Sequence, residues 1–166
     1  HSRRVSELCE FIATKLGMTA VEIQRMKIAG LMHDIGKIGI SENILNKQER
    51  LTDEEWESMK RHPEIGFRIL SASNEFLDIS DAILEHHERW DGNGYPRKLQ
   101  NCSISLQARI IAVADAYDAM TGERSYKKQK SHDEAVLELQ RCAGSQFDPQ
   151  ITQVFLEHCT EFLANS

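Results

Sequence analysis

The stretch TAVEIQRMKIAGLMHDIGK, residues 19–37, decides the fold class, because a single helix accounts for almost all of it. Thr19 is a capping residue with Glu22 three positions later, the reciprocal pairing that opens a helix. Ile28, Leu31, Met32 and Ile35 recur at helical steps and form a packing stripe. The spacing therefore predicts a helix from about Thr19 to about Ile35. The neighbouring face reads Ala29, Gly30, His33, Asp34 and Lys37. Small residues one turn before a His-Asp pair leave room for something to approach closely.

Helical periodicity continues outward in both directions. Residues 3–16 repeat Val5, Leu8, Cys9, Ile12 and Leu16 on one face. LTDEEWESMKR, residues 51–61, opens another helix, capped by Thr52 or Asp53 and favoured by the acids that follow. Pro63 suits the first turn of the next helix, with His62 at the junction. Further helices are expected over 79–90, 104–121, 131–142 and 149–163, the last announced by the Asp cap and proline of FDP. No run alternates apolar and polar residues, so sheet content should be negligible. The longest irregular stretch, 91–103, holds an Asp-Gly-Asn-Gly turn. The reading is one all-α domain, a helical bundle.

Composition agrees. The 166 residues are 40% hydrophobic and 28% charged, which suits one soluble globular domain with a substantial core. No apolar run approaches the ~20 residues that cross a bilayer. HSRRVSELCEFIATKLG, residues 1–17, is amphipathic and has no secretory cleavage pattern. It lacks an initiator methionine and starts almost inside a helix, so the chain is expected to be a fragment of a longer protein. A net charge of −6 argues against a nucleic-acid polymer as partner. The four cysteines form no CxxC spacing, which points to free thiols in a reducing cytoplasm.

The unusual residues are histidines. In HHERWDGNGYP, residues 86–96, His86 and His87 fall three and four positions after Ile83, so on a helix over 79–90 they point inward. ARIIAVADAYDAMTG, residues 108–122, places Asp115 inside an apolar helix. A buried carboxylate needs a compensating charge. Arg109 is one candidate; a metal cation is the other, and we place it first. Imidazole and carboxylate without thiolate select divalent Fe, Mn, Ni or Zn. Five histidines and two aspartates are too many for one ion and suit two, bridged by a carboxylate at about 3.5–4 Å. His132 and His158 lie outside this grouping.

Taken in order, HSRRV, LMHDIGKIGI, LTDEEW, HPEIGFRIL, HHERWDGNGYP, ARIIAVADAYDAMTGERSYKK and FDP resemble the motifs of the bacterial HD-GYP family within the HD superfamily. The resemblance runs from residue 1 to about 149. It implies an HD-type bundle with a metal site between helices, and a metal-dependent phosphodiesterase. The implied reaction converts cyclic di-GMP to linear pGpG, and to GMP where hydrolysis continues, through a metal-activated hydroxide. The implied ligands are His1, His33, Asp34 and Asp115, joined by His62, His86 and His87, with Asp34 as the bridge. Fe or Mn is the first expectation for the two ions, with Ni or Zn as alternatives. Lys37 matches the family lysine at the scissile phosphate or the metal-bound water, and Arg124 and Lys127 match basic positions that hold the dinucleotide's phosphates. The glutamate through which some members bind a third metal would precede His1, and RSY stands where the family often has Arg-Pro-Tyr.

Two further readings stay open beside this one. One keeps the site and changes the substrate to another cyclic dinucleotide, such as cyclic GMP-AMP. The other is a module that binds nucleotide, or a GGDEF-domain protein through the GYP loop, without turnover. By analogy the domain belongs in the bacterial cytoplasm, behind an upstream sensory or receiver region.

Overall fold

The computed structural model describes residues 1–122 and 129–164; Arg124 and Lys127 lie outside them. The chain forms α1 (Ser2–Lys15), α2 (Ala20–Met32), α3 (Glu42–Leu45), α4 (Asp53–Met59), α5 (His62–Ser71), α6 (Leu77–Glu85), α7 (Leu106–Thr121), α8 (His132–Cys142) and α9 (Pro149–Ala164). Short 3-10 turns cover Ile35–Gly39, Asn74–Phe76 and Asn101–Ser103. Among the described residues there is no strand, only one isolated bridge between Ala143 and Phe147. None of the described helices is long and apolar enough to cross a membrane. The four cysteines are unpaired.

Local chemistry sets the helix starts. Thr19 accepts from the Glu22 amide while Glu22 accepts from the Thr19 amide, and Thr52 with Glu55 and Ser131 with Glu134 repeat the device. Pro63 occupies the first turn of α5, and Asp148 accepts from the Gln150 amide at 2.8 Å to start α9. The core is one cluster. Val5, Leu8 and Ile12 of α1 meet Met26 of α2, Ile79 and Ile83 of α6, Ile110, Ile111 and Val113 of α7, and Ile151 and Phe155 of α9. Burying each of these larger side chains stabilises the fold by roughly 1.5–3 kcal/mol.

Two expectations are corrected. Ile28, Met32 and Ile35 of the expected α2 stripe pack against the core, but Leu31 does not: it is 53% exposed, whereas Met26, Ala29 and Gly30 are buried. What the small residues admit is α1, since a Cβ on Gly30 would lie 2.9 Å from both Ser6 Cα and Cys9 Sγ. The helix expected over 79–90 ends at Glu85, so His86 and His87 stand in the turn beyond it. The backbone leaves the helix because its next partners are distant in sequence. The Trp90 and Asp91 amides donate to the Gln146 and Ser145 carbonyls at 3.1 and 2.8 Å.

Candidate metal centre

The close α1–α2 packing brings His1, which precedes α1, beside His33, which ends α2; their ring centroids are 5.2 Å apart. His62 opens α5, and His86 and His87 follow α6, with centroid distances of 5.4 Å for His62–His86 and 4.1 Å for His86–His87. Asp115 faces the same space from α7. The structure therefore brings together all seven residues read from the sequence as metal ligands.

They fall into two groups: Asp34, His62, His86 and His87, and His1, His33 and Asp115, with donor atoms within 4.8 Å of one another in each. Asp34 sits between the groups. Its Oδ1 is 3.4 Å from His62 Nε2, while its Oδ2 is 3.4 Å from His33 Nε2 and 3.7 Å from His1 Nε2. Asp115 Oδ1 lies 3.3 Å from His1 Nε2 and 3.8 Å from His33 Nε2.

Ring orientation is set by the backbone. His33, His62 and His86 each donate from Nδ1 to the carbonyl three residues earlier, on Gly30 at 2.8 Å, Met59 at 2.8 Å and Ile83 at 2.6 Å. A carbonyl only accepts, so the proton sits on Nδ1 and the Nε2 lone pair faces the cluster. His33 Nε2 is the one fully buried side-chain nitrogen or oxygen among the described residues with no hydrogen-bond partner. Such an orphan costs about 1–3 kcal/mol. A cation that accepts its lone pair would recover that cost, so the donor set fits a metal.

Electrostatics divides the site in the same way. Burial, aided by the neighbouring imidazoles, lowers His62 and His86 and takes His87 down to about 3, which keeps these rings in the neutral form that coordinates. His1 is pushed up to about 9 by Asp118 first and Asp34 second. Burial opposes the same rise at His33, but the Asp34 and Asp115 carboxylates beside its Nε2 prevail. Burial likewise opposes ionisation of Asp34, and its contacts with His1 and His33 still hold it far below the carboxylate range. His1 is thus the ring drawn towards its protonated form, and metal uptake beside it would release that proton.

Lys37 reaches the rim, with Nζ 2.6 Å from Asp34 Oδ2. Arg109 is not the partner of Asp115, because it pairs with Asp148 at 2.6 Å. His132 and His158 stay outside, bonded to Tyr117 and Glu161.

Sequence reasoning missed three supporting residues. Asp118 is buried and holds His1 Nδ1 at 2.7 Å and Arg4 Nε at 2.6 Å; its signal was its place one turn beyond Asp115 in the same apolar run. Tyr95 stacks on His87 at 5.0 Å and 24°. Glu88 accepts from the amides of Arg97 at 2.6 Å and Leu99 at 3.1 Å, fastening the loop that carries Tyr95. Gly92 turns that loop at φ 81°, a conformation that glycine adopts freely.

Fold and donor set together define an all-helical domain built around a cluster of nitrogen and oxygen donors that could hold a metal. A family model described as HD domain matches residues 1–151, and the chain belongs to the HD domain family. A Thermotoga maritima protein named cyclic di-GMP phosphodiesterase is 46% identical over 159 residues, covering 95% of this chain and 43% of the relative. A Vibrio cholerae protein named 3′3′-cGAMP-specific phosphodiesterase 2 is 38% identical over 166 residues, covering 99% of this chain and 32% of the relative. The chain thus spans less than half the length of either. Among solved structures, an HDG"Y"P protein from Bdellovibrio bacteriovorus shares the fold with a TM-score of 0.77 at 23% identity, over 96% of this chain and 51% of that one.

Proposed function

We propose that this domain hydrolyses a 3′–5′ phosphodiester of cyclic di-GMP to give linear pGpG. The observation that carries the reading is the divided donor cluster with one Asp34 oxygen turned to each half. It stands beside 46% identity to a relative named for this activity. Imidazole and carboxylate donors suit two divalent ions, Fe or Mn first, with Ni or Zn compatible. His62, His86 and His87 would hold one, His1, His33 and Asp115 the other, and Asp34 both. Such ions supply Lewis acidity and a water deprotonated near neutral pH.

The chain's own residues do the rest. Water adds across the P–O3′ bond, its oxygen to phosphorus and a proton to the departing 3′ oxygen. Lys37 Nζ, beside Asp34 at the rim, offsets charge growing on the phosphoryl oxygens. Arg124 and Lys127 keep their proposed role of orienting the two phosphates. Cyclic di-GMP as substrate places the domain in the bacterial cytoplasm. A GGDEF-domain partner at the GYP loop remains part of the proposal, on the family resemblance alone.

The test is incubation with cyclic di-GMP and Fe²⁺ or Mn²⁺ without oxygen, with products followed by chromatography. Wild type should release pGpG, and His33→Ala and Asp34→Ala should lose both turnover and metal. Full activity in either variant would refute the site. The Vibrio cholerae relative named for 3′3′-cGAMP supports a second reading, so rates on both dinucleotides should be compared.

A further inference from the structure

We infer that Asp118 is the positioning residue of the His1 half of the centre, fastening His1 through one carboxylate oxygen and Arg4 through the other. The inference rests on the metal-centre reading above. His33, His62 and His86 take their Nδ1 partners from backbone three residues earlier, so their own chain segments orient them. His1 differs. Its Nδ1 partner is Asp118 Oδ2 at 2.7 Å, on α7.

Asp118 is built for this. Its side chain is 3% exposed, and its Oδ1 accepts from Arg4 Nε at 2.6 Å, with Arg4 Nη2 3.4 Å from Oδ2. Arg4 lies one turn after His1, so a single buried carboxylate ties the first turn of α1 to α7. Asp115 is one turn earlier on α7. One helix thereby supplies both a donor for this half and the strut for its neighbour. A carboxylate on Nδ1 fixes the tautomer that leaves Nε2 free and makes that nitrogen a stronger donor. With both oxygens engaged by His1 and Arg4, Asp118 belongs to neither donor group itself.

The consequence is selective: loss of Asp118 should weaken one ion and spare the other. Mn²⁺ titration calorimetry and electron paramagnetic resonance on wild type, Asp118→Asn, His1→Ala and the double variant test this. Wild type should take up two ions with a coupled signal. Asp118→Asn should bind one of them about ten- to a hundredfold more weakly, showing the signal of an isolated ion at intermediate Mn²⁺. In the His1→Ala background the same change should add nothing, since Asp118 acts through His1. If Asp118→Asn fails to fold, by circular dichroism of the metal-free protein, Arg4→Gln takes its place and should weaken the same ion. Two ions bound by Asp118→Asn with wild-type affinity would overturn the inference, as would an undiminished further loss in the double variant. Wild-type protein that takes up no Mn²⁺ would instead sink the metal-centre reading on which the inference rests.

Discussion

Gly36→Ala probes the tightest crossing beneath the centre. Gly36 lies in the 3-10 turn after Asp34 and packs on the start of α5. A Cβ there would sit 2.5 Å from Gly66 N and 2.8 Å from His62 C, and nearer still to the His62 carbonyl oxygen. A Cβ rarely comes closer than about 3.0 Å to another heavy atom, so clearing the His62 carbonyl oxygen makes the turn and α5 part by roughly 1 Å. The obstacle is backbone, which cannot swing aside as the end of a side chain does. Overpacking of this kind costs about 1–3 kcal/mol. The alanine returns about 0.4–1 kcal/mol by restricting the unfolded chain. A net loss of roughly 1–2 kcal/mol corresponds to a fall in Tm of about 2–8 °C at this size.

Stability is only half of the expectation. The clash drives apart Asp34 and His62, whose Oδ1 and Nε2 are 3.4 Å apart, one on each side of the crossing. Metal affinity should fall with stability, by about tenfold or more. Thermal melts and Mn²⁺ titrations on Gly36→Ala measure both, with Arg109→Ala as a control whose damage lies at the Asp148 pair. A Gly36→Ala protein with wild-type Tm and wild-type Mn²⁺ affinity would refute the packing argument.

Chelation gives a simpler outcome. If a divalent ion sits at a hundred times its Kd, removing it costs about 2.7 kcal/mol, so EDTA should lower Tm by roughly 5–11 °C and Mn²⁺ should restore it. Arg109→Ala leaves Asp148, whose side chain is 3% exposed, with only the amides at the start of α9 as partners, and should destabilise by about 1.5–3 kcal/mol in urea melts while metal content holds. Asp115→Ala should do the reverse, losing metal with a smaller change in the metal-free melt. Glu88→Ala leaves the Arg97 and Leu99 amides without their acceptor, at about 1–3 kcal/mol for each; faster hydrogen exchange at those two amides is the readout.

The helices were legible where the signal is local. Thr19 with Glu22 forms the expected cap, and of the two candidates Thr52 and Asp53 it is Thr52 that caps α4, because a capping box needs only four consecutive residues. What failed was anything decided by a distant partner. Leu31 looked like core and is exposed, while the room left by Gly30 is taken by α1, whose Ser6 Cα would lie 2.9 Å from a Cβ there. Apolar size marks what can be buried; it does not say which face another helix will choose. His86 and His87 continued a helical pattern that the backbone abandons for hydrogen bonds to Ser145 and Gln146, more than fifty residues away.

The site was legible for a different reason. Seven residues of two metal-binding types exceed what packing needs, and the fold gathers all of them, so inventory carried further than periodicity did. Inventory still could not assign roles within the α7 run, where Asp115 and Asp118 stand one turn apart with the same charge. The deciding factor is which cation reaches each carboxylate. Arg109, the structural candidate for Asp115, is drawn to Asp148, while Arg4 comes across from α1 to Asp118. Asp118 is thereby neutralised while its Oδ2 also holds His1, whereas Asp115 pairs with His1 and His33. A carboxylate held by a guanidinium is already neutralised; one facing imidazoles stays available to a cation. That distinction is written in the pairing of α1 and α7, across more than a hundred residues, and no local reading of either helix contains it.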